Sequence, residues 1–597
     1  MKVYVVAVLL MIAGVGAYHN TLSVPLMFDD KPAILSNPTI RQLGTALSPP
    51  VDGSSVTGRP VVNLSFALNH GLSGEAVWSY HALNLLIHVS AGLALFGIMR
   101  RTLMRPVFSE RVRTAALPLA GTMAMLWLVH PLQTESVTAI VQRTESLAGL
   151  FFLLTLYGFV RCRLSSASAR WWAGGSLATC LLGMATKEIM VTAPLLVLLY
   201  DRTFWAGSFR QAWQVHWRYY LGLGCTWLLL GWLVFSAGGT RGAAAGLGLG
   251  VTPWTYVLTQ CRALLLYLKL ALWPHPLVFD YGTEVIRDPN AVWVQGVALL
   301  LLAGATLTAL WRRPPLGFLG AWFFVILAPS SSVMPLVSQT IAEHRMYLPL
   351  AAVIALVVVA AYALLGRAAF GAALVVGLGL VLLTLERNLD YRSELALWTD
   401  TVAKVPDNAR ARINLAEMLI EAGRPAAALE QAAAAVRLRP NYAEAQTNLG
   451  IALAQLGRPA DALGPCRRAV ELRPDYARGR SNFGSVLAAL GRWPEAIEQF
   501  EAALQLAPPT GDAIPIRGNL AKALLQTGRL PEAIAQFTTV LETAPGAVEM
   551  HYNLAVALGL SGRFDEAVAQ FETVLRLQPG HARARGALEA AHAVRQQ

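Results

Sequence analysis

Residues 440–474 read PNYAEAQTNLGIALAQLGRPADALGPCRRAVELRP, and the architecture of the C-terminal third follows from them. The stretch opens and closes on proline, and Pro406, Pro440, Pro474 and Pro508 recur at one interval of 34 residues. Pro545 and Pro579 continue the series after a longer turn, Pro509-Thr510-Gly511-Asp512. In register run Gly423, Gly457, Gly491, Gly528 and Gly562, each followed by arginine, and then Ala428, Ala462, Ala496, Ala533 and Ala567. Phe500, Phe537 and Phe571 occupy the next core position of the last three units. Glycine closes a helix in the left-handed region, alanine lets a second helix approach, and proline ends the unit. A unit of two helices cannot bury its apolar face alone, so neighbours must stack into an α-solenoid. Five units fill 407–579, and 580–597 reads as a capping helix.

The period and residue pattern are those of tetratricopeptide (TPR) repeats, which bind peptides or proteins and are not catalytic by themselves. Residues 388–406 resemble the second helix of an incomplete leading repeat and connect the solenoid to what precedes it. There the pattern changes. Upstream of about Leu385, apolar runs near the length of a bilayer crossing recur, at 3–17, 80–99, 115–131, 146–160, 171–186, 188–200, 219–236, 291–311, 316–334, 347–366 and 369–385. The reading is all-α: a polytopic membrane domain of about eleven transmembrane helices over 1–387, then the solenoid. Residues Thr252–Pro274 are long enough to span but carry Arg262 and Lys269, and read as a re-entrant or interfacial helix.

The formal charge of +12 is topological. Residues 407–597 hold 20 basic and 19 acidic side chains, leaving the excess in the membrane half. There Arg100, Arg101, Arg105, Arg111 and Arg113 follow the second run, and Arg161, Arg163 and Arg170 the fourth. Arg202, Arg210 and Arg218 follow the sixth, Arg312 and Arg313 the eighth, and Arg367 the tenth. Basic loops stay in the cytoplasm, so the N-terminus is expected there and the solenoid outside, in a multi-pass inner-membrane protein. That distribution excludes a nucleic-acid-binding role. Cys162, Cys180, Cys225, Cys261 and Cys466 have neither disulfide nor zinc spacing.

The expected outer loops are unusually rich in ionisable residues: Asp29-Asp30-Lys31, Arg59, Glu135, Arg143, Glu145, Lys187-Glu188, Asp280 and Glu343-His344-Arg345. Charges held at the edge of hydrocarbon are costly, and by default mark a site.

These loops resemble those of the transmembrane and TPR-containing O-mannosyltransferase family, within the GT-C group of membrane glycosyltransferases. The segments carrying the resemblance are Phe28–Ile34 with Asn37, Gly58-Arg59-Pro60, Asn63–Phe66, Tyr80–Asn84 with His88, and His130-Pro131 to Glu135 with Arg143. Lys187-Glu188, Tyr267-Leu268 to Pro274, Asp280-Tyr281 and Glu343-His344-Arg345 before Tyr347-Leu348-Pro349 complete it. The Pro/Gly/Ser-rich insertion 48–58 is a departure from the family pattern and leaves the placement of Arg59 open.

The resemblance implies a sugar, mannose in that family, moved from a polyprenyl-phosphate donor in the bilayer to Ser or Thr hydroxyls of extracytoplasmic proteins, with inversion. A hydroxyl needs a carboxylate base and a lipid phosphate needs fixed cations. Asp30 or Asp29 is the expected base, in that order, with Glu135 orienting the acceptor or sugar. Arg345 is the first expected phosphate ligand, with Arg143, Lys187, Arg262 and Lys269 behind it. His81, His130 and His344 stay outside catalysis. No cofactor is required, although the Asp pair leaves room for a divalent metal. In the solenoid, Asn414, Asn448, Asn482, Asn519 and Asn553 recur at one position. They are expected to line the groove as an amide ladder gripping acceptor backbone, similar to that of the O-GlcNAc transferase repeats. Two other readings fit the same residues: a non-catalytic membrane-anchored TPR scaffold, and a transferase acting on a lipid or polysaccharide.

Overall fold

A computed structural model describes residues 2–238, 251–282, 285–331, 339–507 and 513–595. The chain divides into two units, Met1–Val405 and Pro406–Gln597.

In the first unit, α1 (Val3–Tyr18) leads into an outer loop with short helical turns at Lys31–Leu35 and Pro38–Ile40. Then come α2 (Pro60–Ser73), α3 (Trp78–Leu103), α4 (Glu110–Thr114), α5 (Ala116–Leu128), α6 (Thr134–Thr138), α7 (Arg143–Leu164) and α8 (Ala169–Met184). They are followed by α9 (Ala193–Asp201), α10 (Phe209–Ser236), α11 (Pro253–Leu272), α12 (Trp293–Arg312) and α13 (Pro314–Ser331). A single-turn helix at Glu343–Met346 precedes α14 (Leu350–Leu365), α15 (Ala368–Asp390) and α16 (Glu394–Lys404).

Each of the eleven apolar runs is helical, but their lengths are unequal. Among the described residues eight helices are long and apolar enough to cross a membrane: Val3–Thr21, Trp78–Leu103, Ile140–Leu164, Glu188–Ala206, Phe209–Ser236, Trp293–Arg312, Pro314–Ser331 and Ala368–Asp390. Ala116–Leu128 and Leu350–Leu365 are apolar but shorter, and α8 falls in neither group. The expected run 219–236 extends back to Phe209, so Arg210 and Arg218 lie on a kinked helix rather than in a loop. Residues 332–334 of the ninth run lie outside the described residues. α11 fills the segment expected to be interfacial, and both Arg262 and Lys269 are on its exposed side.

Burial is inverted relative to a water-soluble bundle. On α12 only Leu299 is buried, while Leu300, Leu301, Leu307 and Trp311 are exposed. Such a surface is stable against hydrocarbon, where packing between helices depends on close approach through small residues. Gly14 of α1 and Gly92 of α3 both sit against Leu128 of α5, and Gly149 of α7 sits against Tyr347.

The second unit holds five antiparallel helix pairs: α17/α18 (Ala409–Glu421, Pro425–Leu438), α19/α20 (Ala443–Gln455, Pro459–Leu472), α21/α22 (Ala477–Ala489, Trp493–Leu506), α23/α24 (Ala513–Gln526, Leu530–Thr543) and α25/α26 (Val548–Leu560, Phe564–Leu577). A final helix, α27 (Ala582–Arg595), follows. The recurrent glycines take φ of 66° to 77°, with open space around them, so backbone conformation rather than crowding selects glycine there. All five recurrent alanines are fully buried. Pro508 and the turn Pro509–Asp512 lie outside the described residues.

Candidate functional site

The first outer loop is anchored by Asp30. Its carboxylate is buried, with Oδ2 accepting from Met27 N at 3.1 Å and Oδ1 from Val141 N at 2.7 Å. Burial pushes its carboxyl up to about 7, against the pull of those two hydrogen bonds. Asp29 is placed differently. Its side chain is exposed and accepts no hydrogen bond from the described residues, yet the surrounding protein still desolvates it and raises its carboxyl above the ordinary range. Asp30 holds the loop, and Asp29 is the carboxylate left open.

Phe28, just before this pair, has φ of 44°, a left-handed conformation costly for a bulky residue. It is held there by α16. Phe28 N donates to Glu394 Oε1 at 3.2 Å, Lys31 pairs with Glu394 at 2.8 Å, and the Phe28 ring packs on Phe279 and Trp398 with centroids 5.3 Å away. Residues 394–404, expected to be solenoid-like, thus form a wall of this loop.

A second group gathers around the turn Glu343–Met346. Glu135 is buried, taking His344 N on Oε2 at 3.0 Å and facing His344 Nδ1 from Oε1 at 2.8 Å. Burial opposes its ionisation, but the His344 ring and hydrogen bonds, with Arg387 beyond, hold its carboxyl below the usual range. Glu343 accepts from Val278 N at 2.6 Å and Tyr281 Oη at 2.8 Å, and burial pushes it up to about 7. Arg387 of α15 reaches Asp390 at 2.9 Å and Asp400 at 3.2 Å through Nη1, while Nη2 lies 3.7 Å from Glu343. Its Nε and Nη2 are buried and meet no hydrogen-bond acceptor among the described residues.

The expected phosphate ligands separate into three classes. Lys187 pairs with Glu145 at 2.6 Å and keeps a fifth of its side chain exposed. Arg345 is buried and donates from Nη1 to Thr340 O at 3.0 Å and from Nη2 to Gln339 O, with Glu145 near enough to act on its charge. Two cations therefore share the field of one carboxylate. Arg143 is enclosed: it donates to Asn84 Oδ1 at 2.6 Å, Asn69 Oδ1 at 2.7 Å, Tyr80 O at 2.8 Å and Ser65 at 3.1 Å, under the Phe66 ring. It is a staple joining α2, α3 and α7 rather than an open ligand. Arg262 and Lys269 are exposed on α11.

The histidines are structural. The His130 ring accepts from Leu132 N at 3.2 Å and lies 3.3 Å from Ala271 O. His81 Nε2 lies 2.8 Å from Val24 O. Among the described residues no three His, Cys, Asp or Glu side chains converge as a metal site would require. In the solenoid, Asn448 departs from the ladder: it is buried and donates to Ile413 O of the preceding repeat at 3.0 Å. Asn414, Asn482, Asn519 and Asn553 are half-buried.

Sequence reasoning missed Arg387, Glu394 and Trp398. Arg387 closes an apolar run and reads as a flanking charge. Its one local signal is the neighbouring acids Asp390 and Glu394.

Comparison with known proteins adds a relationship. Tetratricopeptide repeat families match at residues 383–443, 419–477, 519–582 and 561–593, and at 475–546. The human protein O-mannosyl-transferase TMTC2 is 33% identical over 205 residues, which is 32% of this chain and 23% of that protein. Drosophila melanogaster protein O-mannosyl-transferase Tmtc2 is 30% identical over 298 residues, 46% of this chain and 30% of the relative. Tmtc1 from the same organism is 28% identical over 333 residues, 49% and 36%. The chain thus spans between 23% and 36% of these relatives' length. Among solved structures, the TPR protein YrrB aligns with 22% identity over 32% of this chain and 97% of its own, at a TM-score of 0.28. Through these relatives and its repeats, the chain is similar to the TMTC-like, TPR-containing protein O-mannosyltransferases.

Proposed function

We propose that this chain is a membrane glycosyltransferase that moves a sugar, mannose by kinship, from a polyprenyl-phosphate donor to Ser or Thr hydroxyls of proteins. The observation that carries the reading is Asp29, an open carboxylate with a raised pKa, on a loop clamped by its buried neighbour and a strained Phe28. A carboxyl shifted towards neutrality is a better proton acceptor than an ordinary one. In the proposed step the hydroxyl oxygen bonds to the anomeric carbon as the sugar–phosphate C–O bond breaks. The hydroxyl proton passes to Asp29, and the electron pair leaves with the polyprenyl phosphate beside Lys187 and Arg345. One displacement inverts the anomeric centre, and atoms and charge balance without a cofactor. Glu135 acts by fixing His344 and its turn. In this reading the protein spans the inner membrane with the solenoid outside the cytoplasm, where the half-buried Asn414, Asn482, Asn519 and Asn553 engage the acceptor.

The test is transfer from polyprenyl-phosphate mannose to a protein acceptor. Asp29→Asn should lower turnover by about 10²–10⁴-fold with an unchanged melting temperature. Asp30→Asn should lower stability as well, because one backbone N–H would then face an amide donor or lose its carboxylate. Wild-type turnover in Asp29→Asn would remove the base from this position. Retained turnover in the double variant would overturn the reading.

A further inference from the structure

A cavity of about 100 Å³ lies between α3, α7, α13 and α14, remote from the site above. Along α3 it begins near Leu95 and reaches Leu103, whereas the Arg143 contact is at Asn84, roughly 15–30 Å back at 1.5 Å per residue. Its walls are carbon. Only Thr102, Tyr200 and Trp322 bring polar atoms to the lining, and all are engaged: Thr102 with Ile98 O and Tyr200 Oη, and Trp322 Nε1 with Leu348 O at 2.9 Å. The space is several times the ~10–15 Å³ that one water needs, but it offers water no partners, so an apolar occupant is favoured. It opens sideways: Leu316 and Leu356, both lining residues, are 44% and 48% exposed on the apolar flank of the bundle.

The rim is cationic. Arg105 donates from Nε to the carbonyl of Phe204, a lining residue, at 3.3 Å and lies over the Trp205 ring at 4.3 Å. Arg111 donates to Tyr362 O at 3.2 Å, one turn beyond the lining residue Val359, and is exposed. Among the described residues neither guanidinium pairs with a carboxylate, and each is bonded to a carbonyl on an element that lines the dry slot. We propose that the cavity seats a short segment of one acyl chain of an anionic glycerophospholipid, the rest of the chain lying along the apolar flank, and that Arg105 and Arg111 hold its phosphate. This pairing follows from the two requirements together: hydrocarbon inside, an anionic group at the rim. The donor's polyprenyl tail is the competing occupant, but its phosphate is assigned to Lys187 and Arg345 near the other end of α3.

The test is native mass spectrometry of the delipidated full chain, with phosphatidylglycerol, phosphatidylcholine or polyprenyl phosphate added back. The wild type should retain one phosphatidylglycerol with roughly thirtyfold preference over phosphatidylcholine, if each arginine acts with the usual strength of a basic residue near anionic lipid. Arg105→Gln with Arg111→Gln should erase that preference while leaving chain binding. Ala355→Leu, which fills the cavity, should reduce retention of either phospholipid; Ala352→Leu serves if the first variant folds poorly. Equal retention of both lipids by the wild type would overturn the proposal. So would unchanged retention in the filled variants, or displacement of the phospholipid by polyprenyl phosphate at equal concentration.

Discussion

Asp29 and Asp30 are neighbours with opposite surroundings, and that contrast governs what each can do. Asp30 is held protonated more readily than an ordinary carboxyl, with a folded pKa of about 7 against an unfolded value near 4. Over that window the folded protein binds a proton that the unfolded chain has released. Its contribution is fully present below about pH 4 and is lost as pH rises through about 7. Glu343, also pushed up to about 7, acts with the same sign. The melting temperature should therefore fall between pH 4 and pH 7. Asp30→Asn, which cannot ionise, should flatten part of that decline relative to wild type; parallel profiles would contradict the assignment. The Asp-Asp pair was visible in the sequence as chemistry at a loop. Which member stays open was not, because the answer depends on the Val141 N–H, 111 residues away. The enclosure of Arg143 was hidden for the same reason, since its acceptors come from α2 and α3.

Helices and loops divide into those specified by their own residues and those specified by neighbours. The repeat helices belong to the first kind. A small residue recurs in their first helices at Ala416, Gly450, Gly484, Ala521 and Ala555, all buried against the second helix of the pair. A Cβ added at Gly450 would collide with Cys466 Sγ, while the nearest backbone atom is 3.5 Å away. Gly450→Ala should destabilise the solenoid by about 1 kcal/mol, as overpacking outweighs the gain in helix propensity. In a Cys466→Ala background the same change should stabilise it, and a chemical denaturation series checks the change of sign. The first outer loop belongs to the second kind, because Phe28 keeps its left-handed backbone through Glu394, Phe279 and Trp398. Trp398→Ala should lower turnover while donor binding persists, as the Asp29 loop loses its wall. Turnover and donor affinity measured on the same preparation separate the two, and unchanged turnover would show that α16 does not position the base.

For the chain as a whole, the proposed topology, eleven crossings from a cytoplasmic N-terminus, puts the solenoid outside the cytoplasm. A C-terminal reporter that fluoresces only in the cytoplasm should stay dark, and a bright signal would mean that an odd number of these runs fails to cross. The asparagine row splits into two behaviours. Asn448→Ala should cost about 1 kcal/mol of solenoid stability through the lost bond to Ile413 O. Changing Asn482, Asn519 and Asn553 to alanine should spare stability and raise KM for protein acceptors several-fold, leaving short peptides unaffected; equal effects on both substrates would exclude a groove role. The 34-residue period, the left-handed glycines and the apolar runs are properties of short segments. Each is enforced by bonded geometry and local burial, so helical class, repeat number and membrane character were legible from residue order alone. Tertiary packing decided the rest: which aspartate is open, that Asn448 turns inward, that Arg143 is enclosed and that Arg387 meets Glu343. A polar group's partner is allotted by whatever distant backbone or side chain the packed fold brings within 3 Å, and no local pattern encodes that distance.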